Sequence, residues 1–595
     1  MNRDAAMPDR HPAMAALPAW RAAVMMGLVG VGLAAIMVQA WRLQVENAGF
    51  LREQGAQRYL RHLPLPAMRG AVLDRNGVPL AISVPVKAVW VDPQLFNRQV
   101  ARWPQLAQAL GLPLPTLERR ARGGGAEFAF IARQLPPERA AAVMGLHIPG
   151  VYTLTESRRY YPLGAVAAPL LGFTNVDGRG IEGVELAYNQ WLHGTPGEEM
   201  GLQDNRGQAL SVVRMGPPAE QGRPLTLSID RNIQYFAYTA LAAAVQQFKA
   251  QSGSAVVMNV HTGEVLALVS YPSFNPNNRQ DYEPGLYGNR AVADTYEPGS
   301  VMKPFTIAAA LDDGSIDPNS TFDVNTNCFR VANYCIQDDV RHGVLDLAQV
   351  LKYSSNIGAA QISLRTPPTD LYHMLRAVGF GQVSGIGLPG EAPGTVPAWQ
   401  GWGIARRAAM AYGYGISVTP LQLAAAYGAI ANDGVYVQPS LQRVNDGTQV
   451  QGSRVMPARV ARDLQGWLAG VISRGGTGFL AAIPGYTVAG KTGTSSMADG
   501  KGGFYKNRVN TTFVGFAPAN HPQLVMAVVV RDPTQGWRFG GVVAAPVFRV
   551  TMSAALRLMN VAPDMPAAQW NAQVAKRMTT AQERLWAEGA GDAAQ

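Results

Sequence analysis

The stretch that decides the reading is Glu297-Pro-Gly-Ser-Val-Met-Lys-Pro-Phe305. It sets a hydroxyl, Ser300, and an amine, Lys303, three residues apart, with an apolar run at 305–311 behind them. If Gly299-Ser300 opens a helix, both side chains share one face within a turn. A neutral Lys303 can then take the Ser300 proton while the serine oxygen attacks a carbonyl. Lysine is ordinarily charged at neutral pH, so this chemistry demands burial and neighbouring positive charge to depress its pKa. Alone, the tetrad is a weak signal and more often an ordinary helix start. It gains weight because the chain has eight lysines in 595 residues, and only Lys303 has a serine three positions before it.

Two further short motifs follow in chemical order. In Tyr353-Ser354-Ser355-Asn356, Ser354 lies 54 residues after Ser300. A second hydroxyl beside Lys303 can relay a proton to a leaving amine, and the Asn356 amide can hold a substrate carbonyl or the lysine. By itself the motif reads as a polar turn or helix cap. In Gly490-Lys491-Thr-Gly-Thr494, the lysine comes 135 residues after Asn356, at the end of a β-like stretch. A strand edge offers backbone groups to an extended peptide. Gly493 would let the ligand approach closely. Lys491 would add positive charge for a substrate carboxylate and lower the pKa of Lys303. Thr492 and Thr494 supply hydroxyls, and the Thr494 N–H with that of Ser300 could form an oxyanion hole.

Composition bounds the alternatives. Hydrophobic residues at 47% and charged residues at 15% describe a folded chain. The net charge of +10 is mostly scattered arginine with no basic run longer than two, which argues against nucleic-acid binding. Cys328 and Cys335 can close a short loop or remain as two thiols; with His342 they make no zinc set, and no metal or cofactor is expected.

Along the chain, residues 1–21 are short, polar and Pro/Ala-rich. Residues 22–38 carry no polar side chain and are bracketed by Trp20 and Trp41. That step spans roughly 30 Å as a helix, a hydrocarbon thickness, so 22–40 reads as a transmembrane helix. A cleaved signal peptide is the competing reading, with Val38-Gln39-Ala40 as its site, but the apolar run exceeds the usual length. Residues 41–60 look like a helix leaving the membrane, and 41–222 like a pedestal. Within it, 69–81 shows strand, Asn-Gly turn and strand, a hairpin signal, while Glu182 and Glu185 read as structural partners of arginines. From 223 to 560 the texture changes: a helix at 229–250, strands at 254–260 and 264–270, a helical insert, strands at 486–490, 511–517 and 524–531, and a closing helix at 542–559. The fold class is therefore α+β, an antiparallel sheet flanked by helices. The tail 561–595 is weakly determined.

The three motifs in order match the set of penicillin-binding proteins and β-lactamases, with Ser-Ser-Asn in place of Ser-Asp-Asn. The chain resembles the class B penicillin-binding proteins, and within them the septal D,D-transpeptidases, from about 20 to 560. The likeness includes Arg69-Gly70 with Asp74-Arg75-Asn76-Gly77, Gly180-Ile-Glu-Gly-Val-Glu185, Tyr271-Pro-Ser-Phe-Asn-Pro276 and Tyr412-Gly-Tyr-Gly-Ile-Ser-Val-Thr-Pro-Leu-Gln-Leu423. The resemblance implies a penicillin-binding transpeptidase domain and a dimerisation-like pedestal, with Ser300 the nucleophile and Lys303, Ser354, Asn356 and Lys491 catalytic. Thr492, Gly493 and Thr494 would bind substrate. It also implies cross-linking of peptidoglycan stem peptides through an acyl-enzyme, inhibition by β-lactams, and pairing with an FtsW-type glycan polymerase and other division proteins. The anchor would lie in the inner membrane, with 1–21 cytoplasmic and the bulk in the periplasm at the septum. A carboxypeptidase or β-lactamase-like hydrolase of the same fold is the first rival. It needs a positioned base, and Asp370, Glu391, Asp433, Asp446 and Asp463 sit in no such motif. A β-lactam sensor or division scaffold is the second. The sequence argues against a Ser–His–Asp hydrolase: there is no Gly-x-Ser-x-Gly, and none of the eight histidines lies within a motif.

Overall fold

The structure, a computed structural model, describes residues 19–50, 60–65, 67–123, 128–203, 209–278, 283–445, 447–501 and 503–566. A 23-residue helix, Ala19–Trp41, opens it, starting three residues before the expected span. No residue of the helix is buried, and Trp20 and Trp41 are exposed at its ends. An 18-residue window within Ala19–Glu46 reaches a mean hydropathy of 2.1, and none of that window is buried against the described residues, which suits a bilayer. The segment 540–558 is also long and apolar, but over half of it is buried, so it serves the core. Most of the helix expected beyond Arg42–Glu46 lies outside the described residues.

In the pedestal the expected hairpin forms, Val72–Leu73 pairing antiparallel with the long strand Pro79–Val91. Its turn is fixed by Asp74, whose Oδ1 accepts the Asn76 and Val78 amides at 2.8 Å each. Val151–Tyr160 and Ala129–Leu135 extend the sheet on Pro79–Val91. A small core of its own gathers around stacked Phe96 and Trp103. Glu185 is fully buried, bonded to Arg69 Nε at 2.6 Å and Arg159 Nε at 2.7 Å, as expected of a structural acid. Glu182 makes no ion pair among the described residues.

The catalytic half is built on a five-stranded sheet in the order Val265–Tyr271, Ser252–Asn259, Leu524–Arg531, Phe504–Ala517, Ala489–Ala498. Its paired strands run antiparallel. Leu524–Arg531 is buried along all but its last residue because helices cover both faces, so it reads as an unbroken apolar run. Helices Arg231–Gln247 and Ala545–Leu558 pack together on one face. Pro420–Ala431, buried at every position, packs on the other. Between the two hairpins sit Lys303–Asp312, Asn356–Arg365, Pro368–Ala377 and Ala458–Val471.

Some expected elements differ in their bounds, and the strand expected at 511–517 begins at Phe504. The strand expected at 486–490 begins at Ala489: Tyr486 instead closes a turn with Ile483, and its hydroxyl donates to the Val561 carbonyl at 2.8 Å. The intervening Pro484-Gly485 supplies the turn chemistry, Gly485 at φ +82°. The closing helix is a short turn, Gly540–Val543, followed by Ala545–Leu558. Pro546 lacks an N–H and fits only the first turn, so a new helix starts there. Cys328 and Cys335 are joined, their Cα atoms 5.2 Å apart.

Candidate active site

Ser300 sits in a 3₁₀ turn, Gly299–Met302, that runs directly into the helix Lys303–Asp312. Every residue of that helix but the last is buried, so the nucleophile turn stands on a rigid core helix. The Tyr412-Gly-Tyr-Gly415 stretch packs under it. Gly299 N–H donates to the Gly413 carbonyl at 3.2 Å, and Gly415 N–H to Glu297 Oε1 at 2.8 Å. A Cβ on Gly413 would lie 2.2 Å from the Gly299 carbonyl oxygen, a clash that only glycine avoids.

The first two motifs meet at one atom. Lys303 Nζ lies 2.9 Å from Ser300 Oγ, 2.8 Å from Asn356 Oδ1 and 3.1 Å from Ser354 Oγ, and it also contacts the Ser354 carbonyl. Four oxygens surround it, one more than an ammonium has protons. Lys491 Nζ approaches Ser354 Oγ from the other side at 2.9 Å and its second contact is the Thr492 carbonyl at 3.1 Å. Ser354 itself holds a left-handed φ of +60°, uncommon for a residue with a Cβ and maintained here by the two amines.

Both amines are fully buried. Loss of hydration pulls Lys303 down to about 7, against the opposing pull of Asp338 and Asp339. Lys491 is pushed well below the usual lysine range, first by burial and then by the charge of Lys303, with Asp339 opposing. The expected lowering of Lys303 by Lys491 is not among its causes: burial alone draws Lys303 down, and the repulsion acts on Lys491, where burial is again the larger cause. Lys491 is fully buried, its amine held by Ser354 Oγ and the Thr492 carbonyl.

The cleft above these groups measures about 690 Å³ and is lined by Ser300, Ser354, Asn356, Thr492 and Thr494 among others. The third motif lies on Ala489–Ala498, the terminal strand of the sheet, whose far side pairs with no other strand among the described residues. Thr492 Oγ1 donates to Thr477 Oγ1 at 2.7 Å, and Thr494 Oγ1 accepts the Gly540 amide at 3.3 Å. A Cβ on Gly493 would meet the Pro298 carbonyl at 2.9 Å and Val301 Cγ1 at 3.1 Å, so glycine here admits the nucleophile turn.

Residues outside the motifs complete the site. Asp338 accepts the amides of Asn356 and Ile357, and Gln337 accepts the Asn356 side-chain amide. His342 stacks on Tyr353 with ring centres 4.4 Å apart, and Thr477 borders the cleft. None belongs to a short motif. The acidic pair Asp338-Asp339 shortly before Tyr353 is the only local hint. No cluster of three or more His, Cys, Asp or Glu suited to a metal occurs among the described residues.

A Ser-x-x-Lys whose lysine is buried, at the foot of a sheet-edge cleft, with a pedestal and an apolar N-terminal helix before it, is the arrangement of a penicillin-binding protein. A family model of the penicillin-binding protein transpeptidase domain matches residues 253–553, and one of the penicillin-binding protein dimerisation domain matches 64–227. The chain belongs to the class B penicillin-binding proteins. It is 39% identical over 563 residues to the peptidoglycan D,D-transpeptidase FtsI of Escherichia coli K12, covering 94% of this chain and 95% of that one. The apo transpeptidase domain of Burkholderia pseudomallei penicillin-binding protein 3 is 41% identical, with a TM-score of 0.53, over 57% of this chain and 98% of that domain. Penicillin-binding protein 3 of Mycobacterium tuberculosis, solved with aztreonam, is 28% identical with a TM-score of 0.65, over 85% of this chain and 99% of that one.

Proposed function

We propose that this chain is a peptidoglycan D,D-transpeptidase of the septal, FtsI type, and that Ser300 is its nucleophile. One observation carries the reading: a fully buried amine, drawn down to about 7, lies 2.9 Å from the Ser300 hydroxyl. Near neutral pH much of Lys303 is a free base, and its lone pair can then accept the Ser300 O–H across 2.9 Å.

The steps follow from the placement of the groups. Ser300 Oγ attacks the carbonyl of the penultimate D-Ala of a stem peptide as its proton passes to Lys303. Negative charge develops on the carbonyl oxygen, for which the N–H groups of Ser300 and Thr494 are the candidate donors. Ser354 Oγ, between the two amines, hands its proton to the departing D-Ala nitrogen and is resupplied by Lys303, and the C–N bond breaks to leave an ester on Ser300. The amine of a neighbouring stem attacks that ester, its proton passes back through Ser354 and Lys303 to Ser300 Oγ, and the ester C–O bond breaks. The Thr492 and Thr494 hydroxyls face the cleft and suit the substrate carboxylate, while the strand Ala489–Ala498 aligns the donor peptide. A β-lactam would acylate Ser300 by the same attack.

The chain sits in the inner membrane through Ala19–Trp41, with its catalytic half in the periplasm beside an FtsW-type glycan polymerase and other division proteins. The exposed apolar helix supports the membrane placement, and the likeness to FtsI supports the rest. The hydrolase alternative is less well supported. Asp339 is the only carboxylate among the cleft-lining residues, and Glu391 is committed to Ser384. Labelling with a fluorescent penicillin tests the assignment: wild type is expected to form a stable adduct and Ser300→Ala none. Label persisting on Ser300→Ala removes the nucleophile, and rapid release of hydrolysed penicillin from wild type removes the transpeptidase reading.

A further inference from the structure

Ser354 and Asn356 do not hold themselves. The helix Asn356–Arg365 begins with amides that have no partner inside it. Asp338 reaches across and satisfies them, accepting Asn356 N–H at 2.6 Å and Ile357 N–H at 3.0 Å, and taking the Ser355 hydroxyl at 2.5 Å. The preceding carbonyl, Gln337 O, accepts Asn356 Nδ2 at 3.0 Å. That bond fixes which end of the amide is which, so that Oδ1 faces Lys303 at 2.8 Å. The left-handed Ser354 is therefore clamped from two sides, by the amines on its hydroxyl and by residues 337–338 on its successors.

Residues 337–338 in turn hang from a minimal hairpin, Phe329–Val331 paired with Tyr334–Ile336. Val331 and Ile336 reach the core, whereas Tyr334 is 68% exposed. Two strands of three residues are marginal by themselves. The bond between Cys328 and Cys335 closes this hairpin, and Cys335 lies three residues before Asp338. Cys335 is exposed, so a reductant can reach it.

We propose that Gln337 and Asp338, held by the Cys328–Cys335 disulfide, are positioning residues for the Ser354–Asn356 segment, so that acylation of Ser300 depends on that disulfide being closed. The inference rests on the serine-transpeptidase reading above. In a reducing compartment the site would be poorly set, and it would become competent where disulfides persist.

The test uses the full-length protein in detergent and the second-order rate of acylation by a fluorescent penicillin. A dithiol opens the bond by taking the disulfide onto itself: two electrons and two protons pass to the protein, leaving thiols at 328 and 335. Reduced protein, with both thiols titrated, should acylate roughly tenfold or more slowly, because sub-ångström misplacement of catalytic groups is costly. Reoxidation should restore the rate, and a Cys328→Ser/Cys335→Ser double variant should be slow and indifferent to reductant. Equal rates in oxidised and fully reduced wild type overturn the proposal.

Asp338 is tested on the oxidised protein, independently of any unfolding on reduction. The charged groups facing Lys303 are Lys491 from the sheet edge and Asp338 and Asp339 from this loop. Asp338→Asn keeps an acceptor for the two backbone amides but loses the charge that helps retain the lysine proton. The acid limb of acylation should move to lower pH, a shift that a purely structural role would not produce. Asp338→Ala, which loses every bond, should fall by roughly a hundredfold. An unmoved acid limb together with a wild-type rate in Asp338→Ala overturns the positioning role. Equal labelling of Ser300→Ala and wild type would instead sink the underlying reading, so the two failures are distinguishable.

Discussion

At the scale of single residues, the site turns on two amines that the fold deprives of water. Lys303 cannot remain an ordinary ammonium at 0% exposure, because burial disfavours its charged form. Acylation should therefore rise with pH through about 7 as Lys303 loses its proton, measured as the rate of penicillin labelling across pH. Because the two amines interact, the observed midpoint belongs to the pair. Lys303→Arg keeps a charge that cannot be shed, and labelling should fall roughly 10²–10⁴-fold. The same burial affects stability. The unfolded chain holds the Lys303 proton up to ~10.4, the folded chain only to about 7, so the unfolded state binds more protons in between. This group makes the melting temperature rise with pH across that window; a contribution falling with pH there would contradict its burial. Gly493→Ala would drive a methyl into the Pro298 carbonyl and Val301, costing roughly 1–3 kcal/mol and displacing the nucleophile turn. Loss of both melting temperature and labelling is expected, and a variant unchanged in both would show that the turn does not need that contact.

At the scale of elements, rigidity is set by pairings that join distant segments. Glu185 ties Arg69, at the start of the pedestal hairpin, to Arg159 at the end of the strand Val151–Tyr160. Removing its charge strands two buried guanidinium groups, so Glu185→Gln should lower unfolding free energy by roughly 3–5 kcal/mol. Chemical denaturation measures this, and a loss below one kilocalorie would mean water enters the pocket. Such acids were legible as structural because Gly180-Ile-Glu-Gly-Val-Glu185 carries no nucleophile or base beside them. The sheet strands were legible for another reason: Ser252–Asn259 and Leu524–Arg531 are buried on both faces and show as short apolar runs. Tyr486 and Val488 mimic the same signal while feeding the core from a turn, which is why a strand is expected three residues too early. Ser300, Lys303, Ser354, Asn356 and Lys491 were visible because motif spacing is local and ordered. Asp338 was not, since a carboxylate that caps a helix starting 18 residues later leaves no periodic trace. Nor does spacing reveal that Lys491 would be fully buried against Ser354.

At the scale of the whole molecule, the chain is tied together unequally along its length. Ala19–Trp41 buries nothing, so the globular part owes it no packing energy. The pedestal is different. Val72, Leu80 and Ala81 are fully buried in the same hydrophobic cluster as the catalytic sheet. Val72–Leu73 also pairs in parallel with Leu225–Thr226, at the threshold of the catalytic half. A chain lacking residues 1–59 should therefore label with penicillin at the full-length rate while no longer partitioning into membranes. A chain starting at 223 should behave otherwise. It loses the partner of Leu225–Thr226 and exposes the surface under Val72 and Leu80, each side chain contributing roughly 1.5–3 kcal/mol when buried. It should still fold, because the five-stranded sheet and its helices are complete, and the isolated domain from Burkholderia pseudomallei is a solved structure. Its melting temperature should fall by several degrees, and labelling at Ser300 should persist below that temperature. Equal melting temperatures for the two truncations would show that the pedestal merely rests on the catalytic half, and that the shared core between them is energetically idle.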